Sequence, residues 1–118
     1  MTPQDLQART RTYSHRCVDV AEALPATRFG LYAADQLLRS GMSVGSNYRA
    51  ACHGRTKAEF CAKLGIVEEE LDETLFWFDA ILTRRVMREK RLQPLVAEGD
   101  EHLKIVAASL RTAKRNKP

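Results

Sequence analysis

The chain has 118 residues, 44% of them hydrophobic, 29% charged and 7% aromatic, with a formal net charge of +4. That length supports one hydrophobic core, and six Gly with four Pro exclude collagen-like, low-complexity and wholly disordered classes. No stretch approaches the roughly 18 uncharged apolar residues of a membrane span, and Met1-Thr2-Pro3-Gln4-Asp5 lacks the basic-then-apolar layout of a signal peptide, so a single cytoplasmic domain over residues 1–118 is expected.

Apolar residues recur at steps of three and four, and alternating β-branched runs are absent, which predicts an all-α chain folded as an antiparallel up-and-down four-helix bundle. The first helix is expected over about 3–24, with Thr2 as N-cap, Pro3 at N1 and Asp5 in the first turn. Its apolar side carries Leu6, Tyr13, Cys17, Val20 and Leu24, and Pro25 stops it. After a short linker over 25–30, the second helix spans about 31–52 and presents Leu31, Ala34, Leu38, Gly41 or Met42, Gly45, Tyr48 and Cys52 on one side. Gly41 and Gly45 each cost about 1 kcal/mol of helix propensity, so they mark a close helix crossing or a bend. Gly54 stands where a left-handed residue would end this helix, and Thr56-Lys57-Ala58-Glu59 supplies a capping box for the next.

The third helix is predicted over 57–83, where Phe60, Leu64, Val67, Leu71, Thr74, Phe78 and Ile81 form a heptad seam. At 1.5 Å per residue it is a rod of about 40 Å, which predicts an elongated protomer. Ile66, Leu75, Trp77 and Leu82 widen the apolar stripe beyond one seam and imply a second contact, inside the bundle or across subunits. A basic turn, Arg84-Arg85-Val86-Met87-Arg88, leads to a fourth helix over about 92–113, placed there so that Pro94 falls in the first turn. Leu95, Val96, Leu103, Val106, Ala107 and Leu110 form its apolar face. The basic tail over 114–118 is expected to fray.

Three chemistries fail on spacing. The di-iron sites of four-helix bundles need Glu-x-x-His on two helices, and no Glu here is followed by His three residues later, so neither a metal nor another cofactor is expected. Cys17, Cys52 and Cys61 form no C-x-x-C pair, which points to buried free thiols. Glu68, Glu69, Glu70, Asp72 and Glu73 flank the heptad seam, where carboxylates serve as a solvated face or as ion-pair partners. With no phosphate-binding glycine loop or nucleophile motif, the reading is of a protein that is not an enzyme.

Charge is laid out in blocks: residues 64–83 hold six carboxylates and no cation, while both flanks are net basic. Two clusters qualify as contacts to a polyanion. Arg39 and Arg49 join Arg55, Lys57 and Lys63 around the turn between the second and third helices; Arg84, Arg85 and Arg88 stand beside Lys90 and Arg91. Aromatic residues do not interleave with these cations, so contacts to backbone phosphates with little sequence preference are expected.

Three ordered motifs, Ser43-Val44-Gly45-Ser46-Asn47-Tyr48-Arg49-Ala50-Ala51, Arg55-Thr56-Lys57-Ala58-Glu59-Phe60 and Asp72-Glu73-Thr74-Leu75-Phe76-Trp77, resemble the bacterial four helix bundle family, also called the 23S rRNA intervening sequence proteins. The resemblance covers about residues 13–83 by motif and the last helix by pattern. It implies an antiparallel four-helix protomer assembled as a ring-like homopentamer. A related protein, the accessory variability determinant of diversity-generating retroelements, implies nucleic acid and a protein as possible partners. Two departures stand out. Relatives often carry Arg-Arg-Ala where this chain has Cys52-His53-Gly54, which removes two cations, and a Glu-Gly pair of another branch is replaced by Ala50-Ala51. The resemblance supplies no catalytic residue. Taken together, the sequence predicts a non-enzymatic homo-oligomer that binds RNA or DNA backbones, with a scaffold for a protein partner as the alternative.

Overall fold

The computed structural model describes residues 1–116, which form four helices: α1 (Pro3–Ala23), α2 (Arg28–Cys52), α3 (Lys57–Thr83) and α4 (Glu89–Arg115). No strand occurs among the described residues. Helices of this length joined by such short connections run antiparallel, and the bundle measures 51 × 21 × 20 Å. The elongated shape expected from the third helix is therefore present. One end gathers the start of α1, the α2–α3 turn and the end of α4; the other gathers the α1–α2 and α3–α4 turns.

Local chemistry sets most of the boundaries. Thr2 accepts a hydrogen bond from the Asp5 amide at 3.1 Å while the Asp5 carboxylate accepts from the Thr2 amide at 2.9 Å, a complete capping box. Those bonds also hold the Asp5 carboxyl below its ordinary range. Thr56 caps α3 in the same way through the Glu59 amide, but the Glu59 carboxylate reaches one residue further back and accepts from the Arg55 amide at 2.6 Å. The α3 seam is as expected: Leu64, Val67, Leu71, Thr74, Phe78 and Ile81 are all buried, with Phe60 half-buried at the start.

Several expectations need correction. The second helix begins at Arg28 rather than 31, because Thr27 caps it through the Gly30 amide at 3.0 Å; Gly30 belongs to its first turn, where a Cβ would overlap the Pro25 carbonyl. Its buried face is rotated by about one residue from the predicted one. Ala33, Leu37, Ser40, Gly41, Val44, Tyr48 and Ala51 point inward, whereas Leu31 and Met42 are 58% and 40% exposed and Cys52 faces solvent. Small residues at 33, 40 and 41 allow close packing that a reading keyed to large side chains misses. Gly54 is not left-handed; no glycine has a positive φ, and α2 ends at His53 with φ −99° and ψ 6°. Helix α4 starts at Glu89, so Pro94 lies in its second turn, on the exposed side, while Leu92 and Leu95 bury the inward side and hold the turn in place. At the other terminus α4 continues through Lys114 and Arg115; the rest of the predicted frayed tail, 117 and 118, lies outside the described residues. Of the three thiols only Cys17 is buried, and burial pushes it up to about 12.

The α1–α2 seam leaves no room for side chains at two positions of α2. A Cβ on Gly41 would stand 2.5 Å from Cys17 Cβ, and one on Gly45 would stand 2.8 Å from Ser14 Oγ. The Ser14 hydroxyl donates to the Gly41 carbonyl at 2.7 Å and accepts from the Gly45 amide at 2.9 Å, so it enters the backbone ladder of α2 itself. The α2–α3 seam has its own buried polar tie. Thr74 Oγ1 lies 2.7 Å from the Glu70 carbonyl and 2.9 Å from Ser40 Oγ. A hydroxyl has one proton, so Thr74 donates to the carbonyl and accepts from Ser40.

Where α1 meets α4, Tyr13 and His102 pack edge to face with ring centroids 5.3 Å apart. Gly99 makes the room: a Cβ there would be 2.6 Å from the Tyr13 hydroxyl. The Tyr13 hydroxyl and both His102 nitrogens lack hydrogen-bond partners; His102 Nε2 approaches Glu98 Oε2 to 2.9 Å without hydrogen-bond alignment. Glu98 is instead bound by Arg9 at 2.8 Å, and Arg9 also reaches Glu101 at 3.1 Å. The Arg9 guanidinium holds the Glu98 carboxyl below its ordinary range, and burial pushes the Tyr13 hydroxyl up and the His102 imidazole down despite the nearby Glu98.

Two outcomes are expected. Gly41→Ala, which gains helix propensity, is expected to lower stability by about 1–3 kcal/mol through overpacking against Cys17. Gly65→Ala, where no heavy atom lies within 4 Å of the added Cβ, is expected to raise it by about 0.5–1 kcal/mol, both by urea unfolding. His102 binds its proton more readily in the unfolded chain, so its contribution is full above the unfolded value near 6.5 and is lost as pH falls. His102→Leu is therefore expected to flatten the decline of stability between about pH 7 and 5, a window above the range in which Glu98 titrates.

Candidate nucleic-acid interface

The structure divides the predicted cations by place and by partner. Arg49, Arg55, Lys57 and Lys63 stand at the end of the molecule built by the α2–α3 turn, all exposed and none in an ion pair among the described residues. Arg39 is placed halfway along α2 and is committed to α3: its guanidinium binds Glu70 at 3.0 Å and also Glu73. Those two carboxylates keep it strongly protonated. Its charge is thereby answered within the protomer. The acidic block predicted as ion-pair partner or solvated face is both, since Glu70 and Glu73 pair while Glu69 and Asp72 remain exposed.

Arg84, Arg85 and Arg88 lie at the opposite end of the 51 Å bundle. The two predicted clusters therefore do not form one surface of a protomer. Arg84 is stacked 5.6 Å from the centre of the Phe29 ring. Arg85 has φ 55°, the one positive value among the described residues. Its amide donates to the Leu82 carbonyl at 3.1 Å and the Val86 amide to the Ile81 carbonyl at 3.3 Å, a Schellman closure of α3 with arginine in the place usual for glycine. Arg85, Arg88 and Arg91 line a hollow of about 500 Å³ floored by Ala23, Val86 and Met87.

Sequence reasoning left out residues that folding adds to the first end. Because α4 runs back along the bundle, its Arg111, Lys114 and Arg115 arrive at the end that holds the α2–α3 turn, where Ser109 lines the same cleft as Gly54 and Phe60. The carboxylates nearest the helix starts there, Asp5 and Glu59, are each occupied by a backbone amide. His53 is exposed but turns back on its own helix: its Nδ1 is 2.8 Å from the Arg49 carbonyl, an acceptor only, so Nδ1 carries the proton and closes the end of α2. A cleft of about 580 Å³ opens here between Gln4, Gln7, Cys52 and His53. Charge that is distant in sequence is thus concentrated at one pole.

Another kind of surface lies toward the opposite end. Tyr32, Trp77 and Phe76 form a run of edge-to-face rings at 5.6 and 5.3 Å, with Tyr32 58% and Phe76 61% exposed. The predicted second apolar contact of α3 is thus divided. Leu75, Trp77 and Leu82 pack partly against the core, whereas Ile66 and Phe76 stay outside.

No group of His, Cys, Asp and Glu among the described residues is placed to hold a metal, and no described helix is long and apolar enough to cross a membrane. The profile of the 23S rRNA-intervening sequence protein family matches residues 4–108, and the chain belongs to that family. The fold is similar to the crystal structure of a protein of unknown function from the S23 ribosomal protein family of Bacteroides thetaiotaomicron, with a TM-score of 0.86 and 22% identity over 94% of this chain and 99% of that one. No curated protein matches the sequence.

The left-handed Arg85 carries a cost of about 1–2 kcal/mol that glycine would avoid. Arg85→Gly is therefore expected to raise the thermal unfolding midpoint.

Proposed function

Starting from membership of the 23S rRNA-intervening sequence protein family, we propose that this chain is a non-enzymatic, cytoplasmic binder of RNA or DNA backbones, working as a homo-oligomer of the ring-like pentameric kind implied by the family resemblance. The observation that carries the reading is the basic pole. Arg49, Arg55, Lys57, Lys63, Arg111, Lys114 and Arg115 converge there without a carboxylate partner among the described residues. Uncompensated cations on a rigid end release counterions from phosphates on contact, the main source of sequence-independent affinity. Arg84, Arg85 and Arg88 supply a second contact at the far pole, which one ligand reaches only by spanning the bundle or by touching neighbouring subunits. Arg39, being ion-paired, adds little. The exposed Leu31, Tyr32 and Phe76 suit burial against another chain, which supports self-association.

The same aromatic surface favours a second reading, in which the partner is a protein and the cations serve solubility and subunit pairing. Salt separates the two. Titration of labelled RNA and DNA at about 50 and 200 mM salt, with oligomer mass followed by light scattering, is expected to show at least about tenfold weaker binding at the higher concentration. Arg49→Glu with Arg55→Glu is expected to abolish that binding while the oligomer stays intact. Unchanged affinity in this variant removes the pole as the site, and absence of binding at low salt by an intact oligomer favours the protein scaffold.

A further inference from the structure

We propose that the groove between α1 and α2 is a seat for one phosphate group of the nucleic-acid backbone, held by Arg11, His15 and Arg49; this rests on the nucleic-acid reading and adds Arg11 and His15, which the basic clusters of the sequence do not include, to Arg49, which they do. Gln7, Arg11 and His15 follow one another at four-residue steps along α1, and Met42, Ser46 and Arg49 line the facing side of α2. The groove encloses about 270 Å³, and no carboxylate lines it. Two guanidiniums with an imidazole, a side-chain amide and the Ser46 hydroxyl form a donor set matched to phosphate oxygens.

Its walls are fixed before any ligand arrives. The groove runs along the α1–α2 seam, where Gly45 keeps the floor at backbone level and a Cβ would stand 2.8 Å from Ser14 Oγ. The Ser14 hydroxyl is used up by Gly41 and Gly45, so it fixes the spacing of the helices and leaves recognition to the cations. Neither Arg11 nor Arg49 has an ion-pair partner among the described residues. Gln7 lines both this groove and the 580 Å³ cleft at the basic pole, so the two hollows share a wall. The hollow at Arg85, Arg88 and Arg91 lacks neutral donors and is built on a turn, which makes it the weaker candidate.

The test uses the full chain and two double variants of equal charge loss, Arg11→Gln with Arg49→Gln in the groove and Arg111→Gln with Lys114→Gln on the pole. One arm measures protection of His15 from diethyl pyrocarbonate by inorganic phosphate, read by peptide mass spectrometry against chloride at equal ionic strength, with exposed His53 reporting on the cleft at the pole. The other measures affinity for an oligoribonucleotide lacking terminal phosphates, with thermal midpoints confirming that both variants fold. Phosphate is expected to slow modification of His15 more than an equal ionic strength of chloride does, and the groove variant is expected to lose that protection together with about tenfold in RNA affinity. The pole variant is expected to weaken RNA binding while His15 protection persists. RNA binding that is equal in the groove variant and the parent, with His15 unprotected, overturns the phosphate seat and leaves the nucleic-acid reading standing. Protection of His15 by phosphate without any RNA binding overturns the nucleic-acid reading and assigns the groove to a free phosphate group. Absence of both effects overturns both.

Discussion

The approach of α1 to α2 is the constraint on which the rest of the structure depends. Ser14 occupies a position normally closed to side chains, between a carbonyl and an amide of the neighbouring helix, and two glycines leave the space for it. A hydroxyl buried there without both partners would cost about 1–3 kcal/mol, so the contact tolerates little sliding or rotation of one helix past the other. Once α2 is fixed against α1, its opposite side presents Ser40 to Thr74, and α3 is locked in register. The same seam sets Tyr13 toward α4, where Gly99 receives it. Three helix contacts thus derive their register from polar or small residues rather than from the large apolar side chains that supply most of the burial.

Electrostatics are sorted by the bundle into two uses. Arg9 and Arg39 are spent across seams, α1 to α4 and α2 to α3, each gripping two carboxylates of the facing helix. Exposed pairs of this kind contribute at most about 1 kcal/mol apiece, so their effect is to orient rather than to stabilise. Arg39 consumes two half-buried carboxylates of the acidic block, and the cations of the poles are left without ion-pair partners among the described residues. A chain of modest net charge acquires in this way two local concentrations of positive charge at opposite ends of a 51 Å rod.

The polar cluster at α1 and α4 has a different character. Tyr13 and His102 are buried with polar atoms unmatched, an arrangement that costs free energy and is sustained by the packing around it. The edge-to-face ring contact and the carboxylate of Glu98 offset part of that cost. Because the imidazole is neutral when buried, acidification acts on the fold at this point before it reaches the carboxylates.

How much of this was legible in the sequence depends on the range of the interaction that decided it. The all-α class, the antiparallel bundle, the α3 boundaries and the heptad seam from Leu64 to Ile81 were legible, because periodicity and capping are local and a residue such as Thr56 states its role within four positions. The phase of α2 was not. Leu31, Leu38 and Met42 outweigh Ala33, Ser40 and Gly41 in any count of hydrophobicity, yet the smaller residues face inward, Gly41 where α1 leaves no room for a Cβ and Ser40 where it bonds Thr74 of α3. Arg85 in the left-handed region and Pro94 in a second turn were likewise settled by what Val86, Leu92 and Leu95 bury on either side of them. The cations were countable from the start, but which stay unpaired was not: Arg39 lies 31 and 34 positions from the carboxylates that hold it, and Arg111 is brought near Arg55 only by the return of α4. Sequence fixes what each segment can do alone; the choice of neighbours, and with it the groove of Arg11, His15 and Arg49, belongs to the packed bundle, where distance along the chain no longer measures distance in space.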